Sequence, residues 1–253
     1  MNLPGARDLS WLLARPVAHR GLHDASAGII ENTESAVQAA LDAHYGIEVD
    51  LQLTADGEAV VFHDYTLDRL TEGRGPVRGK TASELKAIPF NSSTDRIQTL
   101  NELLEQVSGR VALMLEIKSG WREIGPLEER VSSVVSEAGG PVSVMSFDPQ
   151  SMALVRALAP EITRGIVSER YPANDPEWHG LPVHRRLSLR HGTEIADANP
   201  DFLHFHVKGL PYGPTRLFRK LGRPITTWTV RTAEDRKKAA RYADQICFEG
   251  FRP

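Results

Sequence analysis

The chain has 253 residues but only one cysteine, Cys247, which excludes a disulfide within the chain and argues against a cysteine-based zinc site. Long apolar runs are lacking too. None approaches the ~20 residues of a membrane-spanning helix, and the N-terminal segment is too short and too interrupted for a signal peptide. The net charge of −3 excludes a global basic field suited to nucleic acid or anionic lipid. We therefore expect a cytoplasmic protein with no nucleic-acid partner and no stable membrane association.

Apolar residues make up 41% of the chain and charged residues 25%, an ordinary globular composition that supplies enough apolar material for one large core. The length fits either one α/β barrel or two small domains, and composition does not choose between them. The order of the predicted strands and helices distinguishes one barrel from two small domains.

Strand and helix patterns alternate along the chain, which predicts a parallel sheet, and eight strands favour a closed (β/α)8 TIM barrel over an open sheet. No internal repeat or linker interrupts the pattern, so residues 1–253 are interpreted as one barrel domain. Residues 65–110 are interpreted as a small insertion after the second strand. Residues 169–190 predict a surface loop, and residues 194–198 predict a short helix. The eight predicted barrel strands contain His19, Glu48, Glu116, Met145, Ile166, Phe205, Trp228 and Phe248.

The segment Gly46–Asp64 predicts a β-hairpin with acids on one arm and a histidine on the other. Apolar and polar residues alternate along its first arm, so Glu48 and Asp50 share one face. Asp56-Gly57 is typical of a two-residue hairpin turn. Counting back along both arms from that turn places Asp50 directly opposite His63.

Charged residues stand at the ends of several predicted strands, where TIM barrels carry their active sites. Glu116 and Lys118 share one strand face although apolar neighbours surround them, and buried charge is costly unless it is paired or binds metal. If Glu116 converges with Glu48 and Asp50, the three carboxylates would repel one another, and a hard cation such as Mg²⁺ or Ca²⁺ would relieve that repulsion.

The remaining polar residues at these strand ends suit phosphoryl chemistry on a diester. His19 and His63 form a candidate acid–base pair near neutral pH. Arg20 and Lys118 are suited to phosphate oxygens. Trp228 and Phe147 lie at strand ends and are candidates for the wall of the pocket, although a role in the barrel core fits them equally well.

Each of these motifs has an ordinary structural explanation when it is taken alone. A Glu-x-Asp pattern on a strand is more often a solvated face, and Glu-x-Lys can be a structural salt bridge. His204 and His206 share a strand face, and we interpret them as a surface pair or a satisfied polar pair and not as metal ligands. The joint pattern at four strand ends is more specific than any single motif.

Several stretches together resemble the glycerophosphodiester phosphodiesterase family, from about Pro16 to the C-terminus. The matching stretches are AHRG at 18–21, ENT at 31–33, IEVDLQLTADGEAVVFHD at 47–64, LDRLTEGRG at 67–75, LEIK at 115–118, SFDP at 146–149 and TWTV at 227–230.

The resemblance implies a barrel of the kind shared with phosphatidylinositol-specific phospholipases, acting on a small-molecule glycerophosphodiester. It implies a divalent metal, Mg²⁺ or Ca²⁺, and the cleavage products glycerol 3-phosphate and an alcohol. Two positions depart from the common family pattern. Many members carry Thr-Asp before the final proline, where this chain has Glu249 as its acid, and Arg231 occupies a position where Asn is frequent. The implied roles are metal binding by Glu48, Asp50 and Glu116, acid–base catalysis by His19 and His63, and phosphate binding by Arg20 and Lys118.

Two alternatives stay open at this point. The same barrel chemistry could act on a lysophospholipid or on another phosphodiester. A catalytically silent barrel that binds a phosphoester is the alternative outside enzymes, and the presence of both histidines argues against it.

Overall fold

A computed structural model describes residues 7–121, 123–175 and 178–253. The first six residues of the segment considered as a signal peptide lie outside this range, as do two residues of the predicted loop at 169–190. None of the described helices is both long enough and apolar enough to cross a membrane.

Within the described residues, eight parallel strands close into a (β/α)8 barrel, which confirms the predicted fold class. The strands run in the order β1-β9-β8-β7-β6-β5-β4-β2, and β1 pairs with β2 to close the ring. The ninth strand, β3, pairs antiparallel with β2 outside the ring. The strands are β1 Val17–His19, β2 Gly46–Leu53, β3 Ala59–Val61, β4 Leu113–Ile117, β5 Val142–Ser146, β6 Thr163–Ser168, β7 Phe202–His206, β8 Ile225–Val230 and β9 Gln245–Phe248.

The helices that flank the barrel pack against the strands through their buried apolar residues. In α2, for example, Thr33 caps the first turn by accepting a hydrogen bond from the amide of Ala36, and the apolar side chains of the helix are buried against the sheet. The helices are α1 Ser10–Leu13, α2 Glu34–Asp42, α3 Ala82–Ala87, α4 Leu100–Val107, α5 Pro126–Ala138, α6 Pro149–Leu158, α7 Val183–His191, α8 Gly213–Lys220 and α9 Ala233–Tyr242.

The predicted insertion contains α3 and α4. Its part up to Ile97, which includes α3, packs around a small apolar cluster of its own, whereas the buried residues of α4 belong to the barrel core. Phe62, at the end of the β3 arm, joins this cluster and is 1% exposed. The second hairpin arm is therefore anchored between the barrel and the insertion. Members of the cluster include Ile30, Val60, Phe62, Leu67, Val77, Leu85, Phe90 and Ile97.

The predicted register of the hairpin is wrong by one residue. Leu51 pairs with Val61, so Asp50 is opposite Phe62 and not His63. The cause lies in the turn. The amide of Gly57 donates to the carbonyl of Thr54 at 3.2 Å, and Gly57 adopts a φ of +80°, which makes a three-residue loop instead of a two-residue one.

Two predictions for the second half of the chain are also wrong. The segment 169–190 is not a loop throughout, because α7 begins at Val183, directly after Pro182, and ends at His191. Gly192, with a φ of +69°, caps it. Residues 194–198 form turns instead of a helix, and Pro200 follows them with no amide hydrogen to extend the hydrogen bonding.

Candidate active site

A cavity of about 580 Å³ opens at the carboxyl ends of the barrel strands. It is the end of the barrel where TIM-barrel enzymes carry out their chemistry. All nine residues predicted for the site line this cavity: His19, Arg20, Glu48, Asp50, His63, Glu116, Lys118, Phe147 and Trp228.

The register of the parallel strands brings the three carboxylates together. Asp50 on β2 pairs with Glu116 on β4, and Glu48 lies two residues before Asp50 on the same face. One ligand atom from each carboxylate lies within 4.8 Å of the others. All three residues are buried, so this acidic cluster has little water to screen it.

Burial and mutual repulsion change the ionisation of the cluster. Burial, together with the charges of Asp50 and Glu116, raises the pKa of Glu48 well above its usual value. Burial also raises the pKa of Glu116, although Lys118 opposes the shift. The pKa of Asp50 is held well below its usual range by Lys118, His63 and Arg20, which outweigh the effect of burial. A buried all-oxygen cluster in which two of the three carboxyl groups have raised pKa values fits a hard divalent cation, whose charge would favour their ionised forms.

Two cations already lie against the acidic cluster. The Lys118 ammonium donates to Glu116 at 2.6 Å and lies 2.9 Å from Asp50 Oδ1. The Arg20 Nε lies 3.4 Å from Asp50 Oδ2, and the Arg20 backbone amide donates to Glu48 Oε2 at 3.0 Å. If all five groups are ionised, three negative and two positive charges leave one net negative charge.

The turn after β1 puts Arg20 in this position. Arg20 has a φ of 56° and the next residue, Gly21, a φ of 79°. A Cβ at Gly21 would lie 2.8 Å from Ala36 on α2, so a side chain there would push the turn and the helix apart. Glycine thus lets the turn pack closely enough for the Arg20 amide to reach the cluster.

His19 is held by an acid from the last strand. Its Nδ1 lies 2.9 Å from Glu249 Oε2, and its Nε2 lies 4.0 Å from Glu48 Oε2, on the side of the acidic cluster. Arg231 in turn donates to Glu249 at 2.8 Å. Burial lowers the pKa of His19 to about 4, so the ring is neutral at neutral pH. The two departures from the family pattern, Arg231 and Glu249, are therefore in contact with each other, and Glu249 contacts His19.

His63 has a comparable partner. Its Nδ1 lies 2.7 Å from Asp64 Oδ1, and its backbone carbonyl accepts a hydrogen bond from Gln52 Nε2 at 2.9 Å. The latter bond ties His63 to β2, although the register leaves it beyond the paired residues of the hairpin. Burial lowers the pKa of His63, partly offset by the charge of Asp50. In both histidines a carboxylate fixes Nδ1, which leaves Nε2 for chemistry.

An ion-pair network joins His63 to Arg20. Arg69 donates to Asp64 Oδ2 at 2.6 Å and Oδ1 at 2.9 Å, and it also donates to Glu31 at 2.7 and 3.1 Å. Glu31 accepts a further hydrogen bond from Arg20 at 2.7 Å. The Arg69 guanidinium thus links Asp64, the partner of His63, to Glu31, the partner of Arg20.

Sequence reasoning assigned no role to several of these supporting residues. Asn32 donates to Asp50 Oδ2 at 2.9 Å and accepts from the Asp50 amide, which fixes that carboxylate. Asp64 and Arg69 likewise act through neighbours, Asp64 on His63 and Arg69 on Asp64 and Glu31. Asn32, Asp64 and Arg69 all lie in stretches that carry the family resemblance. That location is the only feature of the sequence that points to a role for them in the site.

Aromatic residues form the other side of the cavity mouth. We call Trp121, Phe147, Trp178 and Trp228 the aromatic wall, and all four line the cavity. The Phe147 ring centroid lies 5.5 Å from that of Trp228 and 5.1 Å from that of Trp178. Two of the four, Phe147 and Trp228, were predicted as pocket residues.

The two histidines of β7 lie beside this wall. His204 is buried, lines the cavity, and places Nδ1 2.7 Å from the Thr226 hydroxyl. Burial lowers its pKa to about 3. The His206 ring centroid lies 4.9 Å from that of Trp228. The contacts of His204 are those of a satisfied polar residue.

Comparisons with known proteins agree with this fold and site. Residues 19–246 match the model of the glycerophosphoryl diester phosphodiesterase family. A glycerophosphodiester phosphodiesterase from Caldanaerobacter subterraneus is 36% identical over 233 residues, which cover 88% of each chain. A phosphodiesterase from Oleispira antarctica, solved with its product sn-glycerol-3-phosphate, superposes with a TM-score of 0.72 at 25% identity, covering 95% of this chain and 94% of that one. A glycerophosphodiester phosphodiesterase from Thermotoga maritima gives a TM-score of 0.66 at 26% identity, covering 92% of this chain and 94% of that one.

The fold and the site together define a TIM-barrel phosphodiesterase. The matched region extends from the first barrel strand into the last. The chain belongs to the glycerophosphoryl diester phosphodiesterase family.

Proposed function

We propose that this enzyme uses a divalent metal ion to hydrolyse glycerophosphodiesters to glycerol 3-phosphate and an alcohol. The observation that carries the proposal is the buried acidic cluster flanked by two histidines, each held at Nδ1 by a carboxylate. The names of the related proteins, and the product bound in the Oleispira antarctica structure, support this substrate class.

Glu48, Asp50 and Glu116 would hold the metal ion, with Mg²⁺ and Ca²⁺ as the ions that carboxylate oxygens suit. With all five groups ionised, the cluster and its two cations would carry one net negative charge and repel a phosphodiester anion, whereas a divalent ion would make the same site net positive. When bound, the metal would stabilise the charge that develops on the phosphate oxygens.

Arg20 and Lys118 would bind the phosphate. Both guanidinium and ammonium groups lie against the cluster, so their charge is available where a phosphate would meet it. Lys118 now bridges Asp50 and Glu116, and it would exchange part of that contact for a phosphate oxygen.

His19 and His63 would divide the proton transfers between them. One imidazole, neutral at the start of the step, takes the proton from the neighbouring glycerol hydroxyl as that oxygen attacks phosphorus. The other enters the step as an imidazolium and gives its Nε2 proton to the departing alcohol as the bond from phosphorus to that alcohol breaks. The same two groups exchange duties when water opens the cyclic phosphate that results. Glu249 and Asp64 would orient both rings so that Nε2 is the reactive nitrogen.

A single assay tests the proposal. The protein is incubated with glycerophosphocholine and glycerophosphoethanolamine in the presence of Mg²⁺, Ca²⁺ or a chelator, and glycerol 3-phosphate is measured. We expect release with metal and its loss with chelator. Absence of metal-dependent release with both substrates would contradict the proposal.

Two variants separate the metal site from the fold. Glu116→Gln keeps the size of the side chain but removes a charge, and we expect kcat/KM to fall on the order of 10²-fold or more, as for loss of electrostatic stabilisation elsewhere. Glu137→Gln, on the exposed face of α5, is the matched control and should keep the wild-type rate.

A further inference from the structure

Three of the four residues of the aromatic wall come from strands other than those next to the proposed phosphate-binding groups. Phe147 follows β5, Trp178 follows β6 and Trp228 lies on β8, whereas the acidic cluster lies on β2 and β4. Trp121, which follows β4, extends the wall, with its ring centroid 6.4 Å from that of Trp178 and the two planes nearly perpendicular at 86°. Neighbouring rings thus form a continuous series from Trp121 through Trp178 and Phe147 to Trp228.

The wall has aromatic surface that a cation can meet and few free hydrogen-bond acceptors. No lysine or arginine lies among the described lining residues that surround the four rings, and the Asp148 carboxylate that lines the cavity there is already engaged by Arg185 and Ser119. The Glu169 carboxylate accepts a hydrogen bond from the Trp178 indole N–H. The faces of aromatic rings carry negative potential and attract cations that come within about 6 Å of the centroid.

Trp121 already makes one contact of this kind. The Arg185 guanidinium lies 5.8 Å from the Trp121 ring centroid. Arg185 is tied to Asp148 at 2.9 Å and to Glu194 at 3.2 Å, and it does not line the cavity. The cavity side of the wall therefore keeps aromatic surface that a second cation can meet.

We propose that the aromatic wall binds the alcohol part of the substrate and selects a quaternary ammonium alcohol, so that choline esters are preferred. This inference rests on the proposed function. The glycerol part carries hydroxyls that need polar partners, which the histidines and carboxylates supply. The alcohol part is then directed toward the wall, where four rings offer apolar and cation-attracting surface but few hydrogen-bond acceptors.

The choice between alcohols follows from hydration. A primary ammonium such as that of ethanolamine has three N–H donors and holds water strongly, so it loses hydrogen bonds against aromatic rings. A trimethylammonium group has no N–H donor and keeps its charge while presenting methyl groups to the rings. The wall therefore favours the second group on both counts.

The experiment compares three esters of glycerol 3-phosphate by their kcat/KM: the choline ester, the ethanolamine ester and the neutral 3,3-dimethylbutyl ester. The last has the shape of choline without its charge. We expect the choline ester to exceed each of the others by about 3- to 30-fold, the range of cation–π effects. The wall variant Trp121→Leu should reduce both ratios, and Trp121→Phe should restore part of them.

Trp11→Leu is the matched control, since it makes the same substitution on α1, away from the cavity lining. It should keep the wild-type ratios. Equal rates for the choline and dimethylbutyl esters, or ratios that Trp121→Leu leaves at their wild-type values, would overturn the inference while the proposed function stands. Failure to hydrolyse any of the three esters with metal present would instead overturn the proposed function.

Discussion

At the scale of single residues, the pair Glu249 and Arg231 decides how His19 is oriented. Glu249→Gln keeps the length of the side chain but offers an amide to His19 Nδ1 in place of a carboxylate. We expect kcat to fall by up to about 10²-fold because the imidazole loses its fixed orientation, with less change in KM. Steady-state kinetics on glycerophosphocholine measure both constants.

The conservative and matched variants sharpen this test. Glu249→Asp keeps the charge and should recover part of kcat, while Glu234→Gln, exposed on α9, should be indistinguishable from wild type. A Glu249→Gln enzyme with wild-type kcat would remove the positioning role from this residue.

For Arg69, the shape of the side chain matters more than its charge. Its guanidinium contacts both Asp64 and Glu31, and a lysine ammonium cannot reproduce the two forked contacts. We expect Arg69→Lys to lower kcat/KM about 10-fold, by loosening the partners of His63 and Arg20. Arg74→Lys is the control, because Arg74 lies in the same insertion and its only described ion pair, with Asp68, is an exposed one. Equal losses in the two variants would argue against a specific role for Arg69.

The residues that were predictable from the sequence differ in kind from those that were not. Glu48, Asp50 and Glu116 follow from strand alternation and from the rule that barrel sites lie at strand ends. Glu249 contacts His19 across 230 positions of sequence, and the direction of its side chain depends on the closed ring. No local pattern encodes such a contact.

At the scale of elements, the hairpin shows how one turn residue sets the register. Asp56-Gly57 was correctly identified as a turn, but a third loop residue shifted every pair on the arm by one. The helix α7 was missed because its sequence, VHRRLSLRH, has few apolar positions at helical spacing, and only Leu189 is buried. Packing, together with the flanking Pro182 and Gly192, determines where such a short helix begins and ends.

The packing of β6 against β7 gives an element-scale prediction. A Cβ at Gly165 would lie 2.3 Å from the Phe202 ring, which is itself fully buried. We expect Gly165→Ala to lower the free energy of unfolding by about 1–3 kcal/mol through overpacking. Gly213→Ala, where an added Cβ meets nothing within 4 Å, should change it by less than about 0.5 kcal/mol. Urea denaturation compares the two, and equal stabilities would contradict the expected clash.

At the scale of the whole molecule, buried neutral histidines make the fold sensitive to acid. The folded pKa values are about 4 for His19 and about 3 for His204, against an ordinary value of 6.5. As the pH falls below 6.5 the unfolded chain binds protons that the folded chain does not, so stability decreases until the folded values are reached. Each such group contributes up to about 1.4 kcal/mol per pH unit in that window.

His204→Gln isolates this effect from the chemistry of the acidic cluster. Its free energy of unfolding should fall less steeply than that of wild type between pH 6 and pH 4, as urea titrations at each pH would show. His184→Gln, exposed on α7, should retain the wild-type slope. If the slope of His204→Gln matches that of wild type, His204 is not among the groups that drive acid unfolding.

The closure of the barrel by β1 and β9 brings together two residues of the proposed active site, His19 and Glu249, that are far apart in the sequence. Val17 pairs with Cys247 and Ala18 with Phe248, so the contact of His19 with Glu249 arises only when the ring is complete. A chain emerging from the ribosome gains this contact only once its final strand has been made. During refolding, recovery of enzymatic turnover should accordingly trail the recovery of helical circular dichroism, which makes activity a reporter of ring closure.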